Sequence, residues 1–200
     1  MDALPRRLST ASRAPLVIAL DTGRSMAKWA GPARDAVRER LLSGGRGGRD
    51  VSVCALGDYR CHLLQATRFH GDGERLARAL DGFHACGMDR SFEFAMFYYV
   101  SRCRFPAGGK GRFVMIGNGP FRDAVVAGHV RRWPGDSVRA HIHTSRVLAR
   151  LLASFRVTFL YCRRDPWDTD ADVWRGALGP AGVVELEDPA DLTAACARWL

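Results

Sequence analysis

The run Pro15-Leu16-Val17-Ile18-Ala19-Leu20, closed by Asp21, restricts the fold more than any other feature of the sequence. Its side chains do not alternate apolar with polar, so both faces of the strand they form need covering, as in a central strand of a parallel sheet. Comparable runs recur at residues 51–56, 112–117 and 157–161, with a shorter one at 183–186. Between them the apolar period lengthens. Ala33, Ala36, Val37, Leu41 and Leu42 recur at helical spacing over residues 32–42, and Leu76, Ala79, Leu80 and Phe83 over 73–83. Residues 91–103 are apolar nearly throughout, which predicts a helix buried between layers. Further helices are expected at 137–153 and 170–178, and a closing one after the Asp188-Pro189 cap, ending at Trp199.

The second strand is followed within a tight turn by residues 61–67, a connection short enough only for a hairpin. The order β-α-β-β-α-α-β-α-β-α-β-α therefore predicts an α/β, Rossmann-like domain. Its central sheet is mostly parallel, with one antiparallel edge strand at residues 61–67 and helices on both faces. Residues 15–200 form this one domain, and residues 1–14 a basic, polar segment before it. In such sheets ligands gather at the carboxyl ends of the central strands, here the loops beginning at Asp21, Gly57 and Gly117.

A hydrophobic share of 47% over 200 residues is enough for a core without cross-links. The six cysteines, Cys54, Cys61, Cys86, Cys103, Cys162 and Cys196, form no CxxC pair and read as reduced, buried thiols. With no long apolar run and no leader-like start, a cytoplasmic protein without membrane contact is expected. The net charge of +9 comes almost wholly from arginine, Lys28 and Lys110 being the lysines among 30 basic residues. These arginines are scattered, so a solvated surface is favoured over a phosphate-binding one, and a nucleic-acid-associated domain stays as the alternative. His141 and His143 read as helix surface. Trp29, Trp133, Trp167 and Trp174 read as packing residues, an exposed one near the strand-end loops being a natural interface anchor.

Asp21-Thr22-Gly23-Arg24-Ser25-Met26 brings a carboxylate and a hydroxyl to the tip of the first buried strand. The segment resembles the metal-ion-dependent adhesion motif DxSxS of von Willebrand factor A domains, in its bacterial form DxTGSM. Further landmarks follow in order to the end of the chain. Gly57-Asp58-Tyr59-Arg60 is similar to a GYRD-like turn, and Phe69 with Asp72 to the F…D that enters the next helix. Gly87-Met88-Asp89-Arg90-Ser91-Phe92-Glu93 is similar to a GGDxPE loop, and Ile116-Gly117-Asn118-Gly119-Pro120 to an IGDAPP turn.

The resemblance implies a non-enzymatic protein–protein interaction module. Asp21, Ser25, Asp89 and Asn118 would be the ligands of Mg²⁺ or Mn²⁺, and an acidic side chain of a partner would complete the shell. It also implies a bacterial multi-protein system, built round a MoxR-type AAA ATPase or of the conflict and defence kind. Two departures weaken the metal reading. Gly23 stands where the motif has a hydroxyl and Asn118 where it has an acid, so the degenerate site is expected to bind Mg²⁺ weakly or not at all, leaving a domain without a cofactor. From the residues alone, Asp21 serves equally as a turn cap, and Ser25, Asp89 and Glu93 as helix-start residues. A purely structural subunit with a dead metal site therefore stays open.

Asp-Thr-Gly after an apolar strand also occurs in subtilisin-like and aspartic proteases. The sequence offers neither the downstream nucleophile loop of the first nor the all-β frame of the second. No base and nucleophile set converges, and no enzyme is expected.

Overall fold

The computed structural model describes residues 4–43, 50–57, 64–84, 90–132 and 136–200. In chain order its elements are β1 (Leu8–Ser9), β2 (Leu16–Asp21), α1 (Ala27–Ser43), β3 (Val51–Leu56), β4 (Leu64–Ala66), α2 (Gly73–Asp81), α3 (Phe92–Arg102), β5 (Cys103–Arg104), β6 (Gly111–Gly117), β7 (Ala124–Val125), α4 (Ala127–Arg132), β8 (Ile142–His143), α5 (Thr144–Ser154), β9 (Phe155–Cys162), α6 (Asp170–Leu178), β10 (Val183–Leu186) and α7 (Asp191–Trp199).

Six strands form the central sheet in the order β10-β9-β6-β2-β3-β4. Every neighbouring pair is parallel except β3 and β4, which are antiparallel. This is the expected α/β architecture, with its antiparallel strand at the edge. Cys61 to Leu63, the start of that expected strand, lie outside the described residues, as do the thiol of Cys86 and the indole of Trp133.

The fully buried pattern of β2 has a direct cause. Val17 and Ala19 join one apolar cluster with Phe113, Met115, Phe159 and the aromatic side of α3. Leu16, Ile18 and Leu20 join a second with α1, α2 and α7. Two-residue periodicity thus divides one strand between two cores. Helix α3 is covered all round, Phe92 to Tyr99 being buried without exception, and it packs on α5. Cys54, Cys162 and Cys196 are buried thiols within these layers.

Four expectations shift. Helix α1 starts at Ala27, after a 3-10 turn over Arg24–Met26, and runs through Pro32 instead of beginning there. Proline gives up one ladder hydrogen bond, and burial of Met26 and Trp29 offsets that loss. Leu42 leaves the buried stripe and is 46% exposed. The helix expected over 137–153 begins only at Thr144, whose N–H and hydroxyl donate to the carbonyls of Asp123 and Arg122. His143 therefore lies in β8, paired with Ala124, and His141 just before it, so neither is helix surface. Finally, Leu8 is fully buried in the first cluster, and β1 pairs with β5.

The Phe113 ring sits at the centre of the sheet, edge-on to Tyr99 and Phe155. We expect Phe113→Ala to lower the unfolding free energy by about 3–5 kcal/mol in urea titration, against less than about 0.5 kcal/mol for Leu42→Ala.

Candidate functional site

Strands β2 and β6 are neighbours in the sheet, with Leu20 opposite Ile116. The parallel register therefore delivers Asp21 and the loop Gly117-Asn118-Gly119 to one crevice at the carboxyl edge. Gly117 is required by that closeness, since a Cβ there would stand 2.6 Å from Cβ of Asp21 and 2.8 Å from Cζ of Phe92.

Asp21 is almost wholly buried at 3% exposure. Its Oδ1 accepts from the Gly23 N–H at 2.7 Å, a short turn that a side chain at position 23 would crowd, because a Cβ would lie 3.0 Å from that oxygen. Its Oδ2 faces Nε of Arg90 at 3.1 Å, an ion pair held by charge, since the N–H is not aligned on the oxygen. Burial pushes the carboxyl above its ordinary pKa, opposed by the Gly23 N–H, the Arg90 charge and the Asn118 N–H. Ser25 donates to Oδ1 of Asn118 at 2.8 Å, and Asn118 returns a bond from Nδ2 to the Ser25 carbonyl at 3.1 Å. The Ser25 hydroxyl in turn accepts from Nη2 of Arg90.

Of the expected ligands, the fold brings Asp21, Ser25 and Asn118 together, and Asp89 lies outside the described residues together with Asp58, Tyr59, Gly87 and Met88. Asp72 caps α2 by accepting from Arg75 at 3.1 Å. Glu93 is a buried first-turn carboxylate of α3, accepting from the Arg122 N–H at 3.4 Å. Arg90 is the residue that sequence reasoning passed over. In an arginine-rich chain its type carries no signal, and only its place between Asp89 and α3 could have pointed to it.

The crevice floor is braced from behind. Gly119 has φ +78, its N–H donates to the Tyr161 hydroxyl at 3.4 Å, and its carbonyl accepts from Nε1 of Trp174 at 2.9 Å. Tyr161 donates onward to Asp168 at 2.7 Å, where Arg164 also binds at 3.0 Å. Burial pushes the Asp168 carboxyl up, but the Arg164 and Tyr161 hydrogen bonds prevail and hold it well below the usual carboxylate range. The same loop carries Trp167, 88% exposed.

A divalent cation fits this arrangement poorly. Magnesium takes about six oxygens in a tight octahedron, whereas the side-chain oxygens of Asp21, Ser25 and Asn118 already face partners, and the cationic head of Arg90 lies against Asp21 and Ser25. Among the described residues no cluster of three His, Cys, Asp or Glu side chains could hold a metal, and no helix is long and apolar enough to cross a membrane.

No protein-family model matches the sequence, and no curated protein matches it either. Solved structures do. The pilus adhesin SpaC from Lactobacillus rhamnosus GG, in its open conformation, superposes with TM-score 0.66 at 12% identity, over 96% of this chain and 30% of its own. A von Willebrand factor type A protein from Catenulispora acidiphila superposes at 0.62, with 15% identity over 94% of this chain and 42% of its own. The fold is that of a von Willebrand factor A domain. Proximal thread matrix protein 1 from the mussel byssus, with a zinc-occupied MIDAS motif, superposes on this A-domain fold at 0.61, with 10% identity over 96% of this chain and 48% of its own. The chain thus spans less than half the length of each of these three proteins.

Two measurements check the bracing of the A-domain crevice. Gly117→Ala is expected to lower stability by about 1–3 kcal/mol through overpacking against Asp21 and Phe92, read from the urea midpoint. For Asp168, a folded-state pKa below the unfolded one contributes stability above the ordinary carboxylate range, lost as pH falls through the folded value. Asp168→Asn should therefore cost about 1.5–3 kcal/mol at neutral pH, and should lose stability less steeply than the wild type between pH of about 5 and 2.

Proposed function

We propose that the chain is a non-enzymatic protein–protein interaction module whose contact surface is the rim of the crevice at the carboxyl ends of β2, β6 and β9. The observation that carries this is the meeting of Asp21, Ser25, Asn118 and Arg90 in one crevice, with an indole left 88% exposed at Trp167 on the loop after β9. An exposed tryptophan at the edge of a polar, pre-formed recess has the chemistry of an interface anchor. Among the described residues, none of the hydrogen bonds at the crevice joins a nucleophile to a histidine base, the arrangement acyl transfer would need.

The remaining parts of the reading are analogies from the fold. The crevice is a degenerate adhesion site, its partner is a protein that offers an acidic side chain, and the setting is a cytoplasmic bacterial system containing a MoxR-type AAA ATPase or a conflict module. Similarity to an adhesin and to a byssus matrix protein supports interaction as the common theme, since both are named for contacts with other molecules or matrix.

The test is direct binding of the full chain to each protein encoded beside it, measured by biolayer interferometry. Trp167→Ala is expected to weaken binding roughly 10-fold or more with unchanged thermal stability. Equal binding by wild type and variant, for whichever neighbour is captured, would move the interface away from this rim.

A further inference from the structure

Arg90 lies two residues before the start of α3, and its head group reaches oxygens of Asp21 and Ser25. Nε lies 3.1 Å from Asp21 Oδ2 at the end of β2. Nη2 donates to the Ser25 hydroxyl in the turn before α1. Nη1 lies against Gly119 in the loop after β6, where any Cβ would strike it. Side-chain exposure is 13% for Arg90 and 0% for Asp21. A carboxylate so buried needs a counter-charge.

We infer that the Arg90 guanidinium is a built-in cation: it occupies the place where the oxygens of Asp21, Ser25 and Asn118 would otherwise hold a divalent metal, and it makes the crevice independent of metal ions. Three observations converge on it. The hydroxyl of Ser25 accepts from Arg90 and donates to Asn118 Oδ1 at 2.8 Å, so the polar groups form one directed chain that starts at the arginine. The Gly23 N–H holds Asp21 Oδ1 at 2.7 Å, which turns Oδ2 towards Arg90. Asn118 in place of an acid leaves, among the described residues that meet Arg90, one buried carboxylate for one positive charge, a balance that suits a guanidinium and falls short for a divalent ion. A metal placed among these oxygens would stand beside a fixed positive charge and be repelled by it. The inference rests on crevice geometry alone and stands whether or not the rim binds a protein.

The experiment uses the full chain, with MgCl₂ and MnCl₂ as the only added ligands, read by thermal denaturation and isothermal calorimetry. The wild type is expected to melt at the same temperature in EDTA and in about 10 mM of either ion, with no binding isotherm. Arg90→Ala and Arg90→Gln should both melt lower in EDTA, and should regain about 3–6 °C in about 10 mM Mn²⁺ as a new site forms with Kd on the order of 10⁻⁴–10⁻³ M. The double variant Arg90→Gln with Asp21→Asn should lose that gain, which separates the crevice from adventitious surface binding. Metal-dependent stabilisation of the wild type would overturn the inference. So would variants that gain no stabilisation from Mn²⁺, or that remain unfolded both with and without it, because a metal would then not take the guanidinium's place.

Discussion

A carboxylate removed from water at the tip of the innermost strand sets the terms for everything around it. Asp21 ends a strand that is apolar on both faces, so the chain carries a charge to the one place where sheet and loops leave least room for solvent. The cost of burying that charge is met by the Gly23 amide on one oxygen and Arg90 on the other. Ser25 and Asn118 then fall into the only roles left to them, linking the arginine to the loop after β6. Because these groups come from three stretches of chain, residues 21–25, Arg90 and Asn118, their contacts fasten the start of α1, the approach to α3 and the end of β6 to one another.

The sheet makes such a place possible. Side chains of β2 divide between two apolar clusters, which fixes the strand at the centre, and its neighbours β3 and β6 run parallel to it in close register. Parallel strands end on the same edge, so loops far apart in sequence meet there. The aromatic packing behind the crevice, Phe92 and Trp174 edge-on at 5.3 Å and Phe159 against Trp174 at 4.4 Å, keeps that edge from yielding.

Much of the fold was legible because burial writes itself into the sequence. Unbroken apolar strands, helical stripes and the hairpin after the second strand gave the sheet, its edge and its connections, and the tip of β2 with the loop after β6 marked the crevice. Asp21, Ser25 and Asn118 stood out as oxygen-bearing residues in those two places. Arg90 did not, because a single arginine among many has no pattern, and its role depends on a reach across space that spacing cannot express. The start of α1 was misplaced because Pro32 looks like a helix opening, while the burial of Trp29 that carries the helix back to Ala27 is a tertiary effect. Likewise α4, β7 and β8 are too short to impose a period of their own, and β1 depends on pairing with β5 nearly a hundred residues later.

Gly119 is gripped on both sides, its amide by the Tyr161 hydroxyl and its carbonyl by the indole of Trp174. Moving that peptide would break contacts to two aromatic side chains rooted in the interior, so the lip of the recess stays put between encounters. Whatever settles there finds its seat already shaped and surrenders little freedom of the host on arrival. The speed of capture is then governed by collision and orientation, not by waiting for a loop to rearrange.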